Sequence, residues 1–406
     1  MPCYADIVLH QSYRLFSSGQ GASSTFYNPI GCGTRHNNDY ATESDSNFTW
    51  RTAGTFSNLY VNVLANDRAA STFRTRKGTS NANLVVSITG STTGKFEDTS
   101  NSDVVTAGDN WHYSMTTGAG GTTFTYTPMQ VLFAATTNTV SRVGCDANGN
   151  TMTASSTHVG PLAGDGTLSA TDADSVRHIT YRTAGTLNNL FLRIRTNGRS
   201  TTSTVRSRIG GANGNMSASV AGSATGNFED TTNSDTVSVG TLVGWAYVTG
   251  TGTGNVETMG CFADFTTTNG QAMYSAAAGG GQTVLANVTT YYGFSGGLRT
   301  STTESNTIGE ANLPFTASLM QCNISANTVT AASTLTLRIN SGAGAAETVS
   351  ITASTTGIFQ DTTNSDSILA SDTLNYKIVT GATGTSLIIR SISVAARPQT
   401  KLIMVN

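Results

Sequence analysis

Apolar and polar residues alternate with a period of two through much of the chain. Leu59, Val61 and Val63 alternate with Tyr60 and Asn62, and residues 190–194 repeat this arrangement. Such alternation is typical of strands with one buried face. No apolar stripe with the 3.6-residue period of a helix extends beyond two turns. The pattern therefore predicts an all-β chain with very little helix.

One sequence motif occurs three times. It reads TGKFEDTSNSD at 93–103, TGNFEDTTNSD at 225–235 and TGIFQDTTNSD at 356–366. Gly94, Gly226 and Gly357 stand at the same place in the three copies, and the two intervals between them are nearly equal. Recurrence at a fixed period indicates tandem copies of one structural unit. We therefore predict three domains, comprising residues 1–135, 136–268 and 269–406.

A strand with large residues at alternate positions follows each motif. The predicted buried sets are Trp111, Tyr113 and Met115; Val243, Trp245 and Tyr247; and Leu374, Tyr376 and Ile378. Many short strands without crossover helices are typical of sandwiches, jelly rolls and barrels. The prediction is three tandem β-sandwich or jelly-roll-like domains, each of about 131 residues.

The composition narrows the possible partners. Charged residues make up 11% of the chain, and the formal net charge is −2. A nucleic-acid-binding protein usually carries a basic excess, and a membrane span needs roughly 20 apolar residues in a row. We therefore expect neither partner. The first residues lack the basic start and apolar run of a secretory signal, so we expect synthesis and folding in the cytoplasm.

The cysteines do not predict a disulfide framework. There are five, at positions that do not recur between the copies and without a CxxC pair: Cys3, Cys32, Cys145, Cys261 and Cys322. Buried or half-buried free thiols are expected, rather than a zinc or redox site.

The repeated motif concentrates oxygen-bearing side chains. Its candidate ligands are Asp98, Asn101 and Asp103, with Glu97 beside them; Asp230, Asn233 and Asp235; and Asp361, Asn364 and Asp366. Calcium prefers oxygen ligands, so a cation site is one hypothesis. Asp, Thr, Asn and Ser also bond to their own backbone in tight turns. We favour a structural inter-strand corner, anchored in the core by Phe96, Phe228 and Phe359, and expect no other cofactor.

No catalytic constellation recurs. The five histidines occupy different places in the copies, and His112 is expected to face solvent because it lies between two predicted core residues. No nucleophile-elbow motif is present, and the repeated carboxylates lie together in one turn rather than across a cleft. We predict that the protein is not an enzyme.

Two further sets are candidates for binding. Arg74, Arg206 and Arg338 each precede a glycine, and these three glycines, Gly78, Gly210 and Gly342, are equally spaced along the chain. The arginines are interpreted as equivalent, outward and paired within their own domains. Tyr291, Tyr292 and Phe191 could stack on a sugar ring. Packing against a loop or the next domain is the favoured interpretation of these aromatics.

The motif GxFxDTTNSD, followed by a strand and a Thr-Gly turn in each copy, resembles the tandem β-domain virion proteins of tailed phages. The resemblance implies a capsid decoration, cement, fibre or tail component, assembled in the host cytoplasm and bound to other virion subunits as an oligomer or lattice. Three domains could imitate a trimer or lie in a row. Loops such as 31–48 and 160–176 would contact neighbours. The alternative is an extracellular adhesin that binds cell-surface glycans, or a surface filament subunit.

Overall fold

A computed structural model describes residues 8–9, 21–31, 40–136, 140–267, 270–298, 300–342 and 346–398. Strands dominate these residues, as the period-two pattern predicts. The only helical segments among them are short turns at Glu43–Ser46, Asp174–Arg177 and Glu304–Asn306. The all-β prediction is confirmed.

The strands of domain 1 are β1 (Val8–Leu9), β2 (Thr25–Pro29), β3 (Phe48–Thr49), β4 (Gly54–Asn66), β5 (Ser71–Lys77), β6 (Ser80–Ile88), β7 (Gly94–Val105), β8 (Asn110–Thr116) and β9 (Phe124–Ala135). Those of domain 2 are β10 (Val140–Met152), β11 (Thr157–Pro161), β12 (Gly164–Asp165), β13 (Ile179–Thr180), β14 (Gly185–Asn197), β15 (Ser203–Ile209), β16 (Ala212–Val220), β17 (Gly226–Val237), β18 (Leu242–Val248) and β19 (Val256–Thr267).

Domain 3 comprises β20 (Ala272–Leu285), β21 (Thr289–Gly293), β22 (Gly296–Gly297), β23 (Thr300–Ser301), β24 (Gly309–Glu310), β25 (Phe315–Val329), β26 (Ser333–Ile339), β27 (Thr348–Ile351), β28 (Gly357–Gln360), β29 (Ser365–Ile368), β30 (Thr373–Val379) and β31 (Gly384–Pro398).

Each domain is a jelly roll. In domain 1 the two sheets have the orders β1–β9–β4–β7 and β2–β8–β5–β6, so the chain passes repeatedly between them. Domain 2 repeats this order as β10–β19–β14–β17 and β11–β18–β15–β16. Domain 3 has β20–β31–β25–β28, with β29 beside β25, and β21–β30–β26–β27. Two interleaved four-stranded antiparallel sheets define the fold.

A separate apolar core lies between the two sheets of each domain. The three main core clusters span residues 30–133, 143–265 and 274–396. All nine residues predicted as the inward set of the aromatic strand are at most 2% exposed. The three phenylalanines of the repeated motif pack against these cores from their edges, as predicted.

The packing tests two expectations: that the cysteines are buried free thiols, and that Tyr292 could be exposed to a sugar. Cys145, Cys261 and Cys322 are free and buried as expected, whereas Cys3 and Cys32 lie outside the described residues. Tyr292 is fully buried in the core of domain 3, so it is not an exposed platform for a sugar.

The sheets of domains 2 and 3 are joined edge to edge. The short strand β12 pairs in parallel with β10 on one side and with β20 on the other. Gly164 at its start adopts a φ of 80°, and a Cβ there would lie 2.4 Å from the carbonyl oxygen of Gly296. The predicted loop 160–176 therefore contacts a neighbouring domain of the same chain.

Candidate functional site: edge clamps and interdomain contacts

The repeated motif forms a clamp between the two sheets of each domain. In domain 1, the Oδ1 of Asp98 accepts the N–H groups of Ser100 and Asn101, both at 3.1 Å, which closes a local turn. Its Oδ2 reaches across to accept the N–H of Val85 on β6 at 3.0 Å. The carboxylate thus ties strand β7 to the edge strand of the opposite sheet.

Asp103 makes the second half of the clamp. Its two oxygens accept the N–H groups of Asn83 at 2.6 Å and Leu84 at 3.2 Å, and the hydroxyl of Thr75 at 2.5 Å. An unpaired edge strand exposes backbone donors that can recruit another chain. Here consecutive N–H groups of β6 are capped by two carboxylates, which protects that edge.

The clamp is repeated in the other domains. Asp230 and Asp235 accept the N–H groups of residues 215–217, and Asp361 and Asp366 accept those of residues 346–348. All six carboxylates lie in the buried class. The motif that recurs most clearly in the sequence therefore performs the same structural task three times.

The expectation of a corner between two strands is wrong for domains 1 and 2. Both halves of β7 pair with β4, Asp98 opposite Leu59 and Ser102 opposite Ser57, so the motif is a bulge within one strand, as it is in β17. In domain 3 the motif lies between β28 and β29, which both pair with β25. Asn58, opposite the bulge, has a φ of 52°, as Asn189 has a φ of 54° in domain 2. A bulge bends a strand, which lets the carboxylates aim at the opposite sheet.

Calcium binding at these motifs stays a prediction. Asp98 and Asp103 already accept hydrogen bonds from backbone and side-chain donors, as do their counterparts. Within the described ranges, no three His, Cys, Asp or Glu side chains are grouped so that they could hold a metal ion. The observed bonding is that of the turn chemistry we favour.

The clamp lowers the pKa of its first carboxyl. Burial alone would raise the pKa of Asp98, but hydrogen bonds from Val85, Asn101 and Ser100 outweigh it and bring the pKa to about 2. The same balance lowers the pKa of Asp230 and Asp361 further. The first carboxyl of each clamp is therefore ionised at neutral pH.

In each domain, an arginine on β5, β15 or β26 pairs with a carboxylate from a short helical turn. Arg76 donates to Glu43 at 2.5 Å, and Arg338 donates to Glu304 at 2.7 Å. In domain 2, Arg208 donates to Asp174 at 2.5 Å. The acid comes each time from the short helical turn that precedes the long strand β4, β14 or β25. Pairing within one domain is thus observed for Arg338.

The predicted arginine alignment needs a correction. Strands β5, β15 and β26 begin at Ser71, Ser203 and Ser333, so the equivalent arginines are Arg76, Arg208 and Arg338. Arg74 and Arg206 stand two residues earlier. The glycine spacing misled the prediction because the turn after β26 differs in length from those after β5 and β15.

The prediction that His112 faces solvent is wrong. Its side chain is fully buried, and Nε2 lies 3.0 Å from Glu43 Oε1. In domain 2 the equivalent of His112 is Gly244, where a Cβ would meet the ring of His178 at 2.0 Å. His178 is likewise buried and lies 3.5 Å from Asp174. Two imidazoles thus occupy similar places from different strands, whereas domain 3 has Asn375 there.

Burial shifts both rings toward the neutral form. It lowers the pKa of His112 to about 4, against the attraction of Glu43. It lowers the pKa of His178 to about 4 in the same way, against Asp174. Sequence reasoning missed these sites because the two histidines do not align. His10 and His36 lie outside the described residues.

Domain 1 contacts domain 2 through an aromatic cluster. Phe48 packs against Phe191 and Phe262, with ring centroids 5.8 and 4.8 Å away. The guanidinium of Arg142 lies 4.6 Å from the ring centroid of Trp50 and donates to the carbonyl of Thr49 at 2.7 Å. Phe191, in domain 2, is therefore covered by domain 1, which agrees with the favoured interpretation of packing against a neighbouring domain.

Polar contacts extend this interface. Arg51 donates to Glu229 through Nε at 2.9 Å, and Thr52 donates to Asp264 at 2.7 Å. The domain 1 residues of these contacts lie in the segment just before β4. We call residues 48–52 the docking segment of domain 1.

Domain 2 contacts domain 3 through the corresponding segment. Arg182 donates to Gln360 at 2.8 Å, and the amide of Gln321 donates to the carbonyl of Thr180. Arg182 stands one full repeat after Arg51, and Gln360 stands one full repeat after Glu229. The second interface is therefore the first one advanced by one domain.

Domain 3 in turn contacts domain 1. The side-chain amide of Gln130 donates to the carbonyl of Glu310 at 3.1 Å and accepts its N–H at 3.2 Å. The ammonium of Lys95 lies 2.7 Å from the carboxylate of Glu310. Glu310 belongs to β24, directly before β25, as Thr49 and Thr180 precede β4 and β14. The three contacts close a ring, in which each domain docks onto the next.

Comparisons with known proteins identify no family. No protein-family model matches the chain, and no curated protein matches it. The chain is similar to a chain from "Life in the extremes: atomic structure of Sulfolobus Turreted Icosahedral Virus", with 12% identity over 97% of this chain and 91% of that chain and a TM-score of 0.21. It is also similar to a chain from "The Triple Jelly Roll Fold and Turret Assembly in an Archaeal Virus", with 12% identity over 97% and 89% and a TM-score of 0.17.

These matches do not single out tailed phages. Because both TM-scores are low, the jelly-roll assignment rests on the strand order within each domain. No helix among the described residues is long and apolar enough to cross a membrane.

Proposed function

We propose that the protein is a non-enzymatic structural subunit of a virion that serves as a single-chain counterpart of a trimer. The observation that supports this is the closed ring of three like contacts. A head-to-tail contact produces a ring when its rotation closes and a filament when it does not. Jelly rolls are common in viral capsid proteins.

Ring closure favours a position on a lattice over a row of domains. The docking segment of domain 1 and its counterparts are already placed against another domain of the same chain, so a second copy would have to bind through different surfaces. A capsid decoration or capsid-building role suits this geometry better than an end-to-end fibre. The partners would be other virion subunits.

The non-enzymatic part of the proposal rests on how the recurring polar groups are bonded. The recurring polar groups of the three domains are engaged with backbone donors or with one another, as in the clamps and the arginine–carboxylate pairs. Catalysis needs groups that converge on a substrate, and the contacts between domains are made by side chains that already bond to each other.

The experiment is to raise antiserum against the purified full chain and apply it to particles and cells from the same source. Gold labelling of virus particles by electron microscopy is the expected result. Labelling of the cell surface without labelling of particles would overturn the proposal in favour of the adhesin.

One groove in domain 1 keeps the glycan-binding alternative testable. It has a volume of about 510 Å³ and lies between the edges of β6 and β7, lined by Ser80, Asn81, Asn83 and Ser102 among others. Amide and hydroxyl groups of this kind bind sugar hydroxyls. A glycan array with the full chain tests it, with Asn83→Ala as the variant that should lose any saturable signal.

A further inference from the structure

A buried carboxyl group distinguishes domain 3 from the other two. Leu84, Met216 and Glu347 occupy equivalent places in the three clamps, where their N–H groups donate to Asp103, Asp235 and Asp366. Leu84 and Met216 extend into the apolar cores of their domains. Glu347 is fully buried at the same position. An acid therefore replaces a core residue.

The surroundings of Glu347 favour the protonated acid. Its Oε2 accepts the N–H of Met320 at 2.9 Å, but its Oε1 has no hydrogen-bond partner among the described residues. An unpaired buried oxygen is costly when the group is charged. Burial raises the pKa of Glu347 to about 7, and the nearby carboxylates of Asp361 and Asp366 add to the effect, against hydrogen bonding from the backbone of Met320 and Leu319, which lowers it.

The charged and titratable groups that interact with Glu347 come from several elements. Asp361 and Asp366 belong to the clamp, and Tyr376 on β30 is fully buried beside it. Arg182, from domain 2, is the cation that interacts with it. Burial and two like charges oppose ionisation, and one cation favours it.

Glu347 is linked through the backbone to the contact with domain 2. Met320, whose N–H it accepts, also accepts the N–H of Asp361 at 2.8 Å through its carbonyl. The residues next to these two in sequence, Gln321 and Gln360, are those that bond to Thr180 and Arg182. Movement of the clamp would therefore displace both interdomain hydrogen bonds.

We propose that Glu347 is a proton-controlled latch on the contact between domains 2 and 3, closed when the acid is protonated and loosened when it ionises. Ionisation places a third negative charge in the clamp, which strains the bonds of Asp361 and Asp366 to β27 and the adjacent bulge. The side-chain contact of domain 2 with domain 3 then loosens, while the β12 pairing between these domains and the other two interfaces are kept. The latch concerns the isolated chain and does not depend on a virion role.

The direction of the pKa shift of Glu347 determines how the stability of the latch depends on pH. The pKa of Glu347 is higher in the folded chain than its ordinary value of 4.5. Its favourable contribution is therefore complete below pH 4.5 and is lost as pH rises through about 7. The latch opens on the alkaline side.

The test compares the full chain with Glu347→Gln, which keeps the shape without the charge, by calorimetry and by hydrogen exchange between pH 4.5 and 8.5. We expect the domain 3 transition of the natural chain to fall by on the order of 4 °C for each kcal/mol lost. We expect residues 175–182 to lose protection, after correction for the intrinsic rate, while residues 48–52 keep theirs. The variant should show neither change.

Two further variants keep the test decisive. Glu347→Met, which installs the domain 2 residue, should also lack the pH dependence and serves if the glutamine variant does not fold. Met216→Gln introduces a polar group at the equivalent place in domain 2 and should lower stability equally at all pH values. Identical pH profiles for the natural chain and both Glu347 variants would overturn the latch. So would unchanged protection at 175–182 in a chain whose domain 3 transition shifts.

Discussion

Domains 1 and 2 differ from domain 3 at two buried places that are equivalent in the fold. Where the first two have an imidazole beside the arginine–carboxylate pair, domain 3 has Asn375, which donates to Thr307 at 2.9 Å. Where the first two have Leu84 and Met216, domain 3 has Glu347. The same jelly roll therefore tolerates titratable groups at different points, and their pKa shifts have opposite directions.

The two interfaces made by domain 2 also differ in their chemistry. The contact of domain 1 with domain 2 is built around Phe48, Phe191 and Phe262, whereas the contact of domain 2 with domain 3 is built around Gln321, Asn323 and Gln360. The aromatic contact of domains 1 and 2 should not depend on pH. The polar contact of domains 2 and 3 should depend on pH, because it lies next to the buried acid Glu347. The copies thus differ at the contacts between domains as well as within the domains.

The largest expected effect comes from the aromatic interface. Phe48→Ala should destabilise the contact of domains 1 and 2 by roughly 3–5 kcal/mol, the usual cost of removing a buried phenyl ring. Gln321→Ala at the other interface should cost only about 1 kcal/mol, since it removes neutral hydrogen bonds. Calorimetry of both variants measures the difference, and equal losses would contradict the contrast between the two interfaces.

The second-largest effect is expected from removal of a clamp carboxylate. Asp230→Asn exchanges an acceptor for a donor that faces the N–H of Ser217, and should cost roughly 2–3 kcal/mol. Asp361→Asn should cost less above pH 7, because it also relieves repulsion on Glu347. Urea unfolding followed by hydrogen exchange within each domain measures this. Thr99→Ala, on the exposed side of the bulge, is the control and should change little.

Acid should destabilise domain 1 at pH values where Asp98 is still ionised. The pKa of His112 is lowered to about 4, so its contribution is complete above pH 6.5 and is lost as pH falls toward 4. Asp98, with a pKa of about 2, stays ionised in this window. His112→Asn, which copies domain 3, should flatten the dependence of the domain 1 melting temperature on pH between 6.5 and 4. A slope identical to that of the natural chain would refute this.

The smallest expected effect is that of calcium. Because the clamp oxygens already accept backbone donors, addition of calcium or of a chelator should shift no domain's melting temperature by more than about 1 °C. Magnesium serves as the control ion. A rise with calcium that disappears in Asp98→Asn would instead establish a cation site at the motif.

Much of each domain was accessible from local sequence patterns. Alternation around Leu59 and Trp111 predicts strands and their buried faces because the strand period is two, whatever the fold. The composition of the motif predicts that Asp98 bonds to its own turn, because Ser100 and Asn101 are near in sequence. The bulge was missed because a turn between two strands and a bulge within one strand use the same residue types.

Contacts over long sequence separations could not be predicted in this way. His112 was expected in solvent because alternation assigns it to the outer face of its sheet, but the helical turn at Glu43–Ser46 covers that face. Arg142 gave no pattern at all, and its role depends on Trp50 and Phe262, which lie far from it in sequence. Glu347 was not singled out from the sequence, because its burial depends on strands from other parts of domain 3.

The sequence by itself determined the all-β character, the threefold recurrence of one motif at nearly equal intervals and the local turn bonding of that motif. These depend on interactions between residues that are close along the chain or on a fixed strand period. Only the tertiary structure decided that the three domains close into a ring, and that one buried acid lies beside one of its contacts. Those features depend on where whole sheets pack against each other, which is set by the combined shape of surfaces drawn from distant parts of the chain.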